Sequence, residues 1–116
     1  MTSELFSPTR VRHYAIVWID SDRAVVARTT PQNTITSAVV PHAPKDRGKD
    51  PHDLALVADM IGDCEEVLIM GPLSMRTALE REYVSIFHRP ERIVDIETSH
   101  PLTEAEIVER LRRLIA

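Results

Sequence analysis

Ala15-Ile16-Val17-Trp18-Ile19-Asp20-Ser21-Asp22-Arg23-Ala24-Val25-Val26-Ala27 is the stretch on which the fold turns. Its first five residues form an unbroken apolar run, rich in β-branched side chains and too short for a helix. Such a run reads as a strand buried on both faces of a sheet. Asp20-Ser21-Asp22 is turn chemistry, and Ala24 to Ala27 resumes the strand pattern. The two runs therefore form a hairpin. Its first strand sits deep in a sheet and not at an edge.

Working outward, Thr30-Pro31-Gln32-Asn33 is a second turn. Thr34 to Val40 is β-branched and partly alternating, which suits a third, more exposed strand. The chain thus opens as an antiparallel meander. Pro41 to Lys49 then holds two prolines, a glycine and alternating charges with no apolar anchor, and reads as a surface loop. A helix starts after it. Asp50 is placed to cap the helix, Pro51 fits the first helical position and Asp53 complements the dipole. Leu54, Val57, Ala58 and Ile61 make its apolar stripe, and Gly62 ends it.

Val67-Leu68-Ile69-Met70 is another wholly apolar strand, closed by Gly71-Pro72. The helix that follows carries a stripe of Met75, Ala78, Leu79, Tyr83, Ile86 and Phe87, and Arg89-Pro90 stops it. Ile93 to Ile96 is a short strand. Thr103 and Glu106 have the spacing of a capping box, and Ile107, Val108, Leu111, Leu114 and Ile115 form one face of a last helix. The predicted order is β-β-β-α-β-α-β-α. A meander followed by strand–helix units gives an α/β fold with a mixed five-stranded sheet and helices on both faces. This is the element order of the ribonuclease H-like fold, in which the first strand is central and pairs with the fourth.

The totals agree with one ordinary domain. The chain has 116 residues, 43% hydrophobic and 28% charged, with a formal net charge of −4; that balance is globular and not disordered. Residues 1–12 read as a flexible arm, tacked down at most by Phe6, and 13–116 as a single domain. A negative chain does not coat nucleic acid non-specifically, so any RNA contact needs a local patch, and no DNA partner is expected. Cys64 is the only cysteine, so no internal disulfide forms. With no signal-like segment and only strand-length apolar runs, the expectation is a cytoplasmic protein without a membrane span.

Two stretches carry a resemblance. One is Val67-Leu68-Ile69-Met70-Gly71-Pro72 followed by a helix with Ala78 and Leu79. The other is Arg92-Ile93-Val94-Asp95-Ile96-Glu97-Thr98-Ser99-His100-Pro101-Leu102-Thr103. Together they resemble bacterial stand-alone relatives of the middle domain of eukaryotic and archaeal class I release factors, a translational-machinery or host-attachment type to which Pelota is related. The resemblance spans nearly the whole chain after His13. It implies a ribonuclease H-like fold and a ribosomal partner. In release factors the loop between the third strand and the first helix holds Gly-Gly-Gln, which positions water for peptidyl-tRNA ester hydrolysis. Here that place is taken by His42-Ala43-Pro44-Lys45-Asp46-Arg47-Gly48-Lys49-Asp50, with no Gly-Gly-Gln. The resemblance therefore implies a non-catalytic accessory of translation or ribosome rescue, and a hydrolase reading is the alternative.

Each candidate residue also has a plainer role. Lys45, Arg47 and Lys49 alternate, so an extended backbone projects them to one side, where they can meet phosphates of ribosomal RNA; Asp46 and Asp50 offset that charge. Gly71, Ser74 and Arg76, at a strand–helix turn, form a candidate anion-binding turn, although a P-loop needs more glycines and a lysine. His42, Asp50, His52 and Asp53 lie close in sequence but match no metal-ligand spacing, so neither a metal nor another cofactor is expected. Asp20 and Glu97 end strands and could share one sheet edge, yet two carboxylates do not complete a two-metal nuclease. His100 reads as lining the approach to the last helix, and Trp18, Tyr14 and Tyr83 as core aromatics. No catalytic residue is assigned. A plain interaction module is the third reading, with the exposed strand containing Thr34, Thr36 and Ser37 pairing through a sheet edge, with itself or with another protein.

Overall fold

The computed structural model describes residues 12–42, 51–96 and 100–115. In chain order it contains β1 (Tyr14–Ile19), β2 (Arg23–Thr29), β3 (Ile35–Pro41), α1 (Pro51–Ile61), β4 (Glu66–Met70), α2 (Leu73–Phe87), a 3₁₀ turn (Pro90–Arg92), β5 (Ile93–Ile96) and α3 (Glu104–Ile115). The strands form one mixed sheet in the order β3-β2-β1-β4-β5. β1, β2 and β3 pair antiparallel, whereas β4 pairs parallel to both β1 and β5. The first strand is central and meets the fourth, and the expected α/β architecture is the one observed.

β1 holds this position because both of its faces are apolar. Ala15, Val17 and Ile19 face the side covered by α1 and α2, where Leu54, Val57, Ile61, Leu79 and Tyr83 complete one core. Ile16 and Trp18 face the other side, where Leu102, Ile107 and Leu111 lead into and along α3. A strand with only one apolar face could not be covered from both sides without burying unpaired polar groups.

α3 packs over β1, β2 and β3. The apolar cross-strand row Ile16–Leu68–Val94 therefore emerges from beneath it. Along that row exposure rises from a buried Ile16, through a half-buried Leu68, to Val94 at 41%.

Several expectations need correction. Pro41 is the last residue of β3 and pairs with Arg23, and the backbone N–H of His42 donates to the Asp22 carbonyl at 2.9 Å. The stretch read as a loop from Pro41 therefore begins as ladder, and His42 is buried at 7% exposure. Ile86, assigned to the apolar stripe of α2, is 40% exposed. The inward stripe runs Met75, Leu79 and Tyr83, with Phe87 stacked on Tyr83 at 4.7 Å between ring centroids, and this row places Ile86 on the flank. The helix ends on His88 in the left-handed conformation, its N–H bonded to the Val84 carbonyl, one residue before the Arg89-Pro90 stop. The helix-capping role given to Asp50 lies outside the described residues.

Candidate functional site

In an open α/β sheet, ligands favour the crevice beyond the carboxyl ends of parallel strands, where successive connections leave in opposite directions. Here that place lies between β1, which hands the chain on to β2 and β3, and β4, which hands it on to β5. A crevice of about 320 Å³ occupies it, lined by Trp18, Asp20, Ser21, Asp22, Pro72, His100 and Pro101. Asp20, the Gly71-Pro72 turn and His100 were separate candidates in the sequence, and the fold brings their surroundings together.

Asp20 is fully engaged in local structure. Its carboxylate accepts from Trp18 Nε1 at 3.0 Å, from the Asp22 N–H at 2.8 Å and from the Arg23 N–H at 2.9 Å. Partial burial alone would raise its pKa. The bonds from Trp18, Asp22 and Arg23, together with the Arg23 charge, outweigh burial and hold the carboxyl below its ordinary value. Arg23 in turn donates to the Leu102 carbonyl at 2.8 Å, tying β2 to the approach of α3. A carboxylate offers about four acceptor positions, so Asp20 is an ionised turn clamp with little capacity left for an incoming ligand. Glu97, its proposed companion, lies outside the described residues. Among the described residues no cluster of three or more His, Cys, Asp or Glu side chains could hold a metal ion.

The Gly71 turn is shaped by close approach. Gly71 has φ +128°, and a Cβ there would stand 2.0 Å from the Ile19 carbonyl oxygen. Only glycine allows β4 to end this close to the end of β1. Arg76, 7% exposed, reaches back from the first turn of α2 and donates through Nε to the Gly71 carbonyl at 2.8 Å. Ser74 is exposed on the same helix, and no described side chain caps the helix start at Pro72. The turn thus combines uncapped N–H groups with one guanidinium that is anchored inward on the backbone. No sequence signal marked Arg76 as buried, because arginine on a helix is ordinarily solvated.

Lys45, Arg47 and Lys49 lie outside the described residues, but the supports of their segment are visible. Upstream, β3 is fixed to β2 up to Pro41, and His42 is held to Asp22. Downstream, α1 begins at Pro51 and buries Leu54 and Val57. Both ring nitrogens of His42 and Oδ2 of Asp53 are buried with no hydrogen-bond partner among the described residues. Such groups are uncommon in folded proteins and costly to maintain. They fall at the upstream support and in the first turn of α1, and not in the middle of the sheet.

No family model matches the sequence, and no curated protein matches it. Among solved structures the chain is similar to Pelota of Archaeoglobus fulgidus, whose crystal structure was described as revealing inter-domain plasticity. That match has a TM-score of 0.61 at 12% identity, and covers 97% of this chain and 34% of that one. It is also similar to the Pelota protein of Thermoplasma acidophilum, with a TM-score of 0.52 at 17% identity, over 93% of this chain and 35% of that one. The chain spans about a third of the length of either protein. At these identities the likeness establishes a shared fold.

Proposed function

We propose that this chain is a non-catalytic accessory protein of translation or ribosome rescue, acting in the cytoplasm and contacting ribosomal RNA or protein through residues 41–50. The observation that carries this reading is the match to two Pelota structures over 93% or more of the chain. It agrees with the motif resemblance to the release-factor middle domain. Support also comes from placement. The segment with Lys45, Arg47 and Lys49 joins β3 to α1, the position that holds Gly-Gly-Gln in release factors, and both of its supports are packed. Lacking Gly-Gly-Gln, the segment offers cations for phosphate contact and no group that positions a water. Asp20, spent on its turn, gives the nuclease reading no free carboxylate.

Ribosome co-sedimentation at about 50 mM and about 200 mM salt tests the proposal. The protein should pellet with ribosomes at the lower salt and less at the higher. Replacing Lys45, Arg47 and Lys49 together by alanine should weaken binding and flatten its salt dependence by up to three phosphate contacts, a log–log slope change of roughly 2–3. Absence from the ribosomal pellet at low salt would refute the proposal. An unchanged slope in the triple variant would remove the segment from it.

A further inference from the structure

We propose that β3 is the docking edge for a second copy of this chain, with the two edges pairing antiparallel about a two-fold axis. The sheet order leaves β3 and β5 outermost, and the two edges differ. β5 has four residues, follows a 3₁₀ turn and includes Asp95. β3 has seven residues and pairs with β2 through all seven without a bulge. On its other side no described element pairs with it.

Folded monomers guard such an edge with lysine, an inward charge, a bulge or a proline. Ile35-Thr36-Ser37-Ala38-Val39-Val40 contains none of these, and Pro41 comes only at the end. Thr36 and Ser37 are exposed, and Val39 is 44% exposed. The chemistry of the strand also selects its partner. A two-fold axis sets a strand against its own sequence in reverse, so any charge on it would meet a like charge nearby; β3 itself is uncharged and β-branched, and the Glu104 carboxylate of α3 beside it accepts a hydrogen bond from Ser37 at 2.6 Å. Pairing centred on Ala38 brings all seven residues into register, with Pro41 able to accept but not to donate, and sets Val39 against Ser37 of the partner subunit. The two Pro41 positions then lie roughly 20 Å apart along the joined strands, at about 3.4 Å per residue. A single-strand interface is smaller than a standard stable one, so the dimer should be weak and concentration-dependent.

Sedimentation velocity of the full chain between about 5 and about 500 μM reads this out. The wild type should shift from monomer towards dimer across the range. Val39→Lys and Thr36→Lys, on opposite faces of the strand and both exposed, should each weaken self-association at least tenfold with circular dichroism unchanged. Should one variant misfold, the other decides. Amide exchange over 35–41 should slow as concentration rises. A wild type that stays monomeric throughout overturns the proposal, as does a folded lysine variant that dimerises normally, or protection that appears away from β3. Self-association is measured without ribosomes, so its failure and that of ribosome binding are distinguishable.

Discussion

Asp20 shows how much one side chain organises. Three donors converge on its carboxylate, one of them the indole of Trp18, a residue 3% exposed. Replacing Asp20 with alanine strands that indole N–H and frees two turn N–H groups. The expected loss at neutral pH is roughly 2 kcal/mol, in line with hydrogen bonds to a charged acceptor at a partly exposed position. Because the folded-state pKa is depressed, this contribution is present above the unfolded carboxylate value. It disappears as pH falls through the lower folded value. Urea unfolding of wild type and Asp20→Ala should therefore differ at pH 7 and converge below about pH 4. A difference that persists undiminished at pH 2 would mean that Asp20 acts through shape and not charge. Cys64 makes a contrasting case. Burial pushes its thiol pKa up, and its Sγ donates to the Ile61 carbonyl at 3.4 Å. It should resist a thiol-reactive dye in the native protein and react at the rate of unfolding.

Among the elements, α3 was the most readable in sequence. Thr103 and Glu106 form the reciprocal pair expected of them: the Thr103 N–H donates to Glu106 Oε1 at 2.8 Å, and the Glu106 N–H to Thr103 Oγ1 at 3.2 Å. The first turn is acidic and the last basic, as the dipole favours. Thr103→Ala should cost about 1 kcal/mol, measured by thermal or urea unfolding, and Thr103→Ser should restore most of it. β1, β4 and α1 were equally plain, because continuous apolar runs and a 3.6-residue stripe are local signals. What sequence could not supply was pairwise geometry. Nothing in Arg76 announces that it turns inward to a carbonyl five residues back. Nothing in His42 announces burial, since its neighbours Pro41 and Ala43 carry no periodic pattern. Ile86 was misplaced because helical spacing alone gives the width of a stripe only loosely, and a few tens of degrees separate the core from the flank. The candidate site was legible as isolated residues; the parallel pairing of β1 with β4 sets Asp20 beside Pro72, and His100, ahead of α3, lines the same crevice.

At the scale of the whole molecule, two layers of helix cover the sheet unequally. Among the described residues, α1 and α2 share one face, while α3 alone takes β1 to β3 on the other and leaves Leu68 and Val94 at its margin. Those residues thus form one covered face, one partly open face and, at β3, an edge with which none of them pairs. Its two proposed contacts, the 41–50 segment and β3, adjoin each other along the chain, so association through one can alter access to the other. The tightest point of the design lies elsewhere, at Gly71 against the Ile19 carbonyl. It bears on how distant kin could be recognised. When about one residue in eight agrees with a solved neighbour, whole-sequence alignment drifts, and gaps can be placed almost anywhere. A position where any β-carbon would collide with the adjacent strand does not drift. A glycine closing the fourth strand, in register with the end of the first, is a fixed mark from which an alignment of this fold can be laid out in both directions.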